Sequence, residues 1–191
     1  MRYSRTEADS AADVPLTGSF LVAHPSLRDP HFRQSVVLLT AHSTEEGAIG
    51  VIINQPLGQT LSEYRPDLAD SDFADIPLFR GGPVANEQMI LAAWKWSAED
   101  GSFKLFFGID ENKAREILDQ DAGFKLYGFL GHAGWSENQL ESELDEDSWV
   151  ISPLLPEFEK MEGPSLWRNL ISRQGPEMQL LIDEPEDPSV N

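Results

Sequence analysis

The stretch GHAGWSENQLESELDEDSWV, residues 131–150, sets glycines beside a tryptophan, then signals for a helix start, then a run of acids. If Ser136 caps the helix, Gln139 takes the third helical position, which gives the S-x-x-Q pattern of a capping box. Trp135 and Leu140 then stand where a hydrophobic staple forms, and Glu137 lies at the positive end of the helix dipole. The sequence therefore predicts a helix that begins directly after Ser136.

The two ends of this stretch carry different signals. Gly131 and Gly134 permit backbone conformations that other residues resist, so GHAGW is predicted to turn sharply out of the preceding strand into the helix. Asp145, Glu146 and Asp147 crowd the far end of the helix, where its dipole disfavours negative charge. These three acids are either simply solvated or face a cationic partner, and local helix stability does not explain them.

The chain before this stretch is rich in short apolar segments with β-branched residues, which are typical of strands. Residues 35–42 and 48–56 flank the short linker STEEG, which predicts a hairpin of two buried strands. Gly50 inside the second segment indicates a bulge or a close backbone approach. Further strands are predicted at 19–24, 76–80, 87–96, 103–109 and 124–131.

Two further helices are predicted from their ends. Asp110 is an N-cap residue with Gly123 just past the expected end, and residues 164–174 form an amphipathic helix that Gly175 ends. Many strands with three helices in no regular alternation predict an α+β fold. We expect one domain over residues 16–176, between a flexible polar tail at 1–15 and an acidic, proline-rich tail at 177–191.

Composition limits the classes of function. The net charge is −19, from 33 acidic against 14 basic residues, and no Lys/Arg cluster offers a footprint for nucleic acid. The charge therefore disfavours direct DNA binding and is explained by a solvated acidic surface that favours solubility, by a basic protein partner or by a cationic ligand. The absence of cysteine excludes disulfides, thiolate zinc sites and a cysteine nucleophile. Neither a membrane span nor a secretory signal is evident, so the sequence predicts a cytoplasmic protein.

Four ordered motifs together resemble the YqgE/AlgH family of bacterial proteins: HPSLRDPHFRQSVVLL (24–39), GAIGVIINQPL (47–57), RGGPV (80–84) and residues 131–149. The resemblance covers about Leu16 to Gly175. It implies an α+β domain whose mixed sheet curves strongly into a pseudo-barrel, with about three helices around it. It implies no agreed activity, although some members carry the label of transcriptional regulator from involvement in alginate production.

The matching residues are mostly glycines, prolines and apolar side chains, whose chemistry shapes the backbone and packs the core. We therefore favour a non-enzymatic regulatory or protein-interaction domain, and predict no catalytic residue, cofactor or metal. Its surface would join RGGPV to the helix after AGW, with the acidic segment steering a basic partner. The candidate surface comprises Asn54, Arg80, Gly81, Gly82, Gly134, Trp135, Gln139 and Glu141.

The alternative is an enzyme or small-ligand binder, with a cleft where the NQP, GGPV and AGW segments meet. Three sets of residues could supply chemistry to such a protein. His24 and His42 could meet at one rim and hold iron together with Asp29, although no helical metal-binding spacing supports this. Ser136 lacks the GxSxG elbow of a hydrolase, and the backbone N–H groups of RGGPV could form an anion nest. The oligomeric state is left open.

Overall fold

The computed structural model describes residues 16–97, 99 and 101–183, and in this part of the chain nine strands form one mixed, strongly curved sheet. The strands are β1 (Phe20–Ala23), β2 (Val36–Ser43), β3 (Gly47–Ile52), β4 (Pro56–Thr60), β5 (Pro77–Arg80), β6 (Val84–Ser97), β7 (Ser102–Ile109), β8 (Lys125–Trp135) and β9 (Trp149–Ser152). The helices are α1 (Leu61–Tyr64), α2 (Glu111–Gln120), α3 (Gln139–Asp145), α4 (Pro164–Ser172) and α5 (Pro176–Asp183), with 3₁₀ turns at Pro66–Leu68 and Pro156–Lys160. The expected α+β pseudo-barrel is confirmed.

Strand β8 is the centre of the sheet. The strand order is β4-β5-β8-β3-β2-β1-β9, and β6 pairs with both β8 and β7. The pair β5–β8 is parallel, and the other pairs are antiparallel. Because β3, β5 and β6 all pair with β8, the GAIG, RGGPV and GHAGW motifs meet around one strand. β6 separates β7 from β8, so the two strands that flank α2 are not neighbours.

The predicted hairpin is confirmed as β2 and β3. Their register shifts between Leu39 and Ala41, which leaves Thr40 as an extra residue in β2. A Cβ placed on Gly50 would lie only 2.6 Å from Cγ1 of Val37, too close for any side chain. Gly50 therefore marks a close approach, one of the two alternatives that the sequence indicates, whereas the bulge lies opposite it in β2.

The predicted sharp turn at GHAGW is wrong, because β8 continues to Trp135 and pairs there with β3. The helix start is also later than predicted: α3 begins at Gln139, after Asn138 in a left-handed conformation with φ 57°. Half of the capping box forms, since Oε1 of Gln139 accepts from the backbone N–H of Ser136 at 3.0 Å. Pairing with β3 extends the strand, and the chain then needs three more residues to turn.

The other predicted helices are confirmed, with shorter ends. The Asp110 side chain accepts from the backbone N–H of Lys113 at 2.8 Å, and α2 ends at Gln120, before Gly123. Helix α4 ends at Ser172. The sequence did not indicate α5, which extends into the segment assigned to the acidic tail and packs Met178 against the core. Residues 1–15 and 184–191 lie outside the described residues.

The main hydrophobic core lies between β1–β3, the end of β8 and helices α3 and α4. The indole N–H of Trp167 on α4 donates to the Ala23 carbonyl oxygen of β1 at 2.7 Å, which ties the helix to the sheet. A second cluster lies among α1, α2 and strands β5 and β6. In the described part of the chain, no helix is long and apolar enough to cross a membrane.

Candidate partner-binding groove

The glycines of RGGPV allow two backbones to touch. Both backbone polar groups of Gly81 are hydrogen-bonded. Its N–H donates to the Leu130 carbonyl at 2.8 Å, and its carbonyl accepts from the Ile52 N–H. A Cβ on Gly82 would lie 2.2 Å from the carbonyl carbon of His132, and one on Gly81 would lie 2.2 Å from the Gly131 oxygen. These glycines are therefore packing positions, and the Gly81 N–H is not free to bind an anion.

The buried side chain of Asn54 links three segments of the chain by hydrogen bonds. Its side-chain oxygen accepts from the Val36 N–H at 2.7 Å, and its amide donates to the carbonyls of Gln34 and Gly163 at 2.9 and 3.2 Å. With this one side chain, the start of β2, the loop before it and the start of α4 are held together. Asn54 lines neither of the two grooves described below.

A hydrogen bond to the Glu143 carboxylate fixes the side chain of Trp135. The indole N–H groups of Trp135 and Trp149 both donate to Oε2 of Glu143 at 2.8 Å, and Gln139 donates to Oε1 at 2.9 Å. The ring of Phe32 stacks on Trp135 and meets Trp149 edge-on. The sequence analysis did not predict this role for Glu143, although its i,i+4 spacing from Gln139 and two nearby tryptophans are visible in the sequence.

His42 and Glu141 form a second connection between β2 and α3. Nδ1 of His42 accepts from the Leu16 N–H at 3.2 Å, which assigns the ring proton to Nε2. Nε2 then donates to Oε1 of Glu141 at 2.8 Å. Oε2 of Glu141 is buried and finds no hydrogen-bond partner among the described residues. Glu141 thus anchors α3 to the sheet.

An open groove of about 560 Å³ crosses β2, β3, β8 and the start of β6 above these connections. Ile49 of β3 pairs directly with Gly134 of β8, and Val84 of β6 pairs with His132 two residues earlier. Ile49 and Val84 are each 43% exposed, and both line the groove. The groove therefore has aliphatic walls and a glycine floor.

Gly134 differs from the other thirteen glycines, all of which lie in the described part of the chain. Each of those has either a positive φ or a neighbour within 3.0 Å of the position that a Cβ would occupy. At Gly134 the φ is ordinary and the nearest atom, on the His132 ring, would be 3.8 Å away. Neither backbone conformation nor packing therefore requires a glycine here, and a larger side chain would enter the groove.

Three acidic residues lie at or near the β2–β3 turn beside the groove. Glu46 lines it, and Glu45 precedes it in the β2–β3 turn. The Asn138 N–H donates to the Thr44 carbonyl at 3.3 Å, which brings the exposed Glu137 to the same turn. These three carboxylates form no ion pair with any described residue. Asp145, Glu146 and Asp147 are exposed at the other end of α3 and do not line the groove.

The residues of the predicted surface divide among several places. Gly134 and Trp135 line the groove, while Arg80 and Gly82 line a separate one of about 300 Å³ with His31, Leu57, Pro83, Asn86 and Leu130. Asn54 and Gly81 are interior, and Gln139 and Glu141 hold α3 in place. The structure therefore brings two of the eight together on the groove.

The histidines do not form the proposed rim. Because β1 and β2 are antiparallel with Val22 opposite Val36, His24 and His42 lie toward opposite ends of this pair, so the hypothesis that they meet is wrong. The Asp29 carboxylate accepts from the His31 N–H at 2.8 Å and shapes its own loop. Among the described residues, no group of three or more His, Asp or Glu side chains is placed to hold a metal ion.

Comparisons with known proteins agree on one family. The profile described as AlgH-like matches residues 20–179. A UPF0301 protein of Streptomyces avermitilis is 34% identical over 189 residues, covering 92% of this chain and 95% of its own. A UPF0301 protein of Xanthomonas campestris is 36% identical over 152 residues, covering 75% and 80%.

Two solved structures share the fold. The solution structure of the AlgH protein from Pseudomonas aeruginosa superimposes with a TM-score of 0.64 at 26% identity, covering 98% of this chain and 100% of that one. A crystal structure of a Corynebacterium diphtheriae protein gives a TM-score of 0.67 at 23% identity, with 94% of each chain covered. The curved sheet and its helices are therefore common to all three proteins.

Proposed function

This chain belongs to the AlgH-like family, and from that premise we propose that it is a non-enzymatic protein-interaction domain. Its site is the groove floored by Gly134, and its partner presents a basic segment with an aliphatic side chain. The observation that carries the proposal is the open space above Gly134, where packing would accept a side chain and none is present. A glycine without a local structural reason is consistent with the close approach of another molecule.

The chemistry of the groove defines its partner. Ile49 and Val84 offer exposed apolar area, which a partner's Leu, Ile or Val side chain would remove from water. Burying such a side chain is worth roughly 1.5–3 kcal/mol. Glu45, Glu46 and Glu137 at one end favour lysine or arginine next to that anchor. The net charge of −19 further speeds encounter with a basic partner at low salt.

A regulatory role through protein contact fits this arrangement better than direct binding to DNA, because phosphate would meet acidic residues around the groove. His42 lines the groove, but both of its ring nitrogens are hydrogen-bonded, one to the Leu16 N–H and one to Glu141, so neither is free to act as a general base on a bound molecule. We further propose that the protein acts in the cytoplasm, which a chain without cysteine suits.

The experiment is a selection from a displayed random peptide library on the folded protein. We expect the selected peptides to carry Lys or Arg beside an aliphatic anchor. Their affinity should fall at least tenfold with Ile49→Asn, which removes the apolar wall without adding a charge. Ile151→Asn is the matched control, since Ile151 on β9 is 42% exposed against 43% for Ile49 and lies outside the groove.

A second variant distinguishes binding in the groove from attraction to the overall negative charge of the protein. Gly134→Leu fills the floor without demanding an unusual φ, and should abolish peptide binding while circular dichroism and urea midpoint stay close to the wild type. Neutral or acidic selected peptides, or basic peptides that bind Gly134→Leu as well as the wild type, would overturn the proposal.

A further inference from the structure

A second cavity, of about 170 Å³, lies away from the groove and shares no residue with it. Four of its ten lining residues are aromatic: Phe79 of β5, Trp94 of β6, Tyr127 of β8 and Phe158 of the second 3₁₀ turn. Trp94 and Tyr127 stack with ring centroids 3.8 Å apart, and Phe79 and Phe158 stand 6.1 and 6.0 Å from one ring of that pair. Such a volume admits a small head group rather than a large ligand.

Carboxylates supply the polar part of the same cavity. Glu159 and Glu162 both line it. The Glu159 side chain is only 16% exposed, and its Oε1 accepts from the indole N–H of Trp94 at 2.9 Å. Glu162 is exposed and forms no ion pair with any described residue. Aromatic faces and carboxylates both attract cations, so the two kinds of wall select for the same charge.

We propose that this cavity binds the methylated ammonium group of a small organic cation, with the aromatic side chains around its methyl groups and Glu159 beside its charge. Aromatic faces over a quaternary ammonium are a recurring way to hold such a group, because the ring quadrupole attracts a weakly hydrated cation. The Trp94 N–H fixes the Glu159 carboxylate in position, so the site is already arranged.

The Lys125 ammonium already pairs with the Glu159 carboxylate. Nζ of Lys125 pairs with Oε2 of Glu159, while the Lys125 side chain is 61% exposed. The ammonium end of this pair is exposed to solvent, so Lys125 can be exchanged for another cation. Lys125 therefore acts as a competitor for the site, and removing its charge should strengthen binding.

The Tyr127 phenol is neutral near pH 7, and its surroundings extend this neutral range to higher pH. Burial raises the pKa of the phenol well above its ordinary value, and the Glu159 carboxylate adds to the rise. Hydrogen bonding with the Trp94 side chain lowers the pKa of Tyr127 but offsets only part of this rise. The cavity thus holds a neutral hydroxyl next to its acid, and the negative charge available to a cation is that of the carboxylates.

The test is a titration of the full chain with tetramethylammonium chloride, followed by the ¹H–¹⁵N signal of the Trp94 indole. Saturable shifts are expected for tetramethylammonium but not for the neutral, similarly sized tert-butanol. Glu159→Gln should weaken binding about tenfold, and Tyr127→Leu should weaken it severalfold. Glu157→Gln is the matched control, because it removes the same charge from the same 3₁₀ turn outside the cavity.

Lys125→Gln should bind tetramethylammonium severalfold more tightly, a gain that misfolding cannot produce. The proposal is overturned if tetramethylammonium gives no saturable shift, if tert-butanol binds equally well, or if Glu157→Gln weakens binding as much as Glu159→Gln. Free choline and phosphatidylcholine vesicles then distinguish the source: binding to choline alone supports a soluble cation, and flotation with vesicles supports a lipid head group.

Discussion

Gly134 on β8 pairs directly with Ile49 on β3, and beyond its two chain neighbours no described atom comes within 3.8 Å of the place where a Gly134 side chain would begin. Gly81 and Gly82 have the opposite environment, with backbone atoms where their side chains would be. The family motifs therefore contain two classes of glycine. One class lets strands approach each other, and Gly134 leaves a space on the surface.

Substituting alanine at the two kinds of glycine should separate them. Gly134→Ala should change the free energy of unfolding by less than about 1 kcal/mol, because its φ and its surroundings accept a methyl group. Gly82→Ala should cost about 3 kcal/mol or more, since φ is 153° and the methyl would meet the His132 backbone at 2.2 Å. Urea unfolding measures both, and equal losses would contradict the distinction.

The Glu143 carboxylate, which accepts from the indole N–H groups of Trp135 and Trp149, should be important for stability. Glu143→Ala removes the acceptor of two indole N–H groups and of Gln139, and should lower the free energy of unfolding by about 2–4 kcal/mol. Glu146→Ala is the control, because Glu146 is exposed at the end of the same helix and should cost under about 0.5 kcal/mol. Chemical denaturation of the two variants decides, and indistinguishable midpoints would refute the role of Glu143.

Asn54 should contribute to stability rather than to ligand binding. Asn54→Ala leaves the Val36 N–H and the carbonyls of Gln34 and Gly163 without their partner, so we expect a loss of about 3 kcal/mol. The exposed Asn86→Ala should change stability by no more than about 0.5 kcal/mol. Hydrogen exchange of the Val36 amide provides a local readout. Unchanged protection in Asn54→Ala would show that the bond is not made in solution.

Stability should fall at alkaline pH because of Tyr127. Burial, with the Glu159 carboxylate adding to it, raises the pKa of Tyr127 in the folded state. The folded protein therefore keeps a proton that the unfolded chain releases near pH 10. The stabilisation is complete below that pH and decreases as pH rises through it.

Urea unfolding between pH 8 and pH 11, compared with Tyr127→Phe, measures this contribution. The wild type should lose stability relative to the variant above about pH 10. Parallel curves for the two proteins across that range would show that the phenol is not buried as described.

Much of the fold could be predicted from local patterns. The β2–β3 hairpin, the Asp110 cap and the close approach at Gly50 each depend on residues near one another in sequence. The error at GHAGW has a tertiary cause: β3, 85 residues earlier at the Ile49–Gly134 pair, extends β8 through glycines that locally favour a turn. The sequence analysis does not predict strand β9, because its four residues are too few for a period-two pattern to stand out.

The candidate site was harder to predict, for a related reason. A glycine that admits a crossing backbone and a glycine that leaves a groove open have identical sequence signals, and only contacts at their absent Cβ atoms tell Gly82 from Gly134. The sequence places Asn54 and Trp135 on the candidate surface, whereas in the structure both side chains are buried and hydrogen-bonded. Acidic residues near the groove were visible in the sequence, while their convergence depends on the contact between Asn138 and Thr44.

The most direct measurement of the proposed groove function is site-specific photocrosslinking in the native cell, with a photoreactive residue at position 84 or, as a control, at position 151. Val84 and Ile151 are 43% and 42% exposed, so both probes are equally accessible. We predict one discrete adduct with a basic protein from position 84, none from position 151, and loss of the adduct when Gly134→Leu is added. The same adducts from both positions, or an adduct at position 84 that survives Gly134→Leu, would contradict the assignment of the groove as the interaction site.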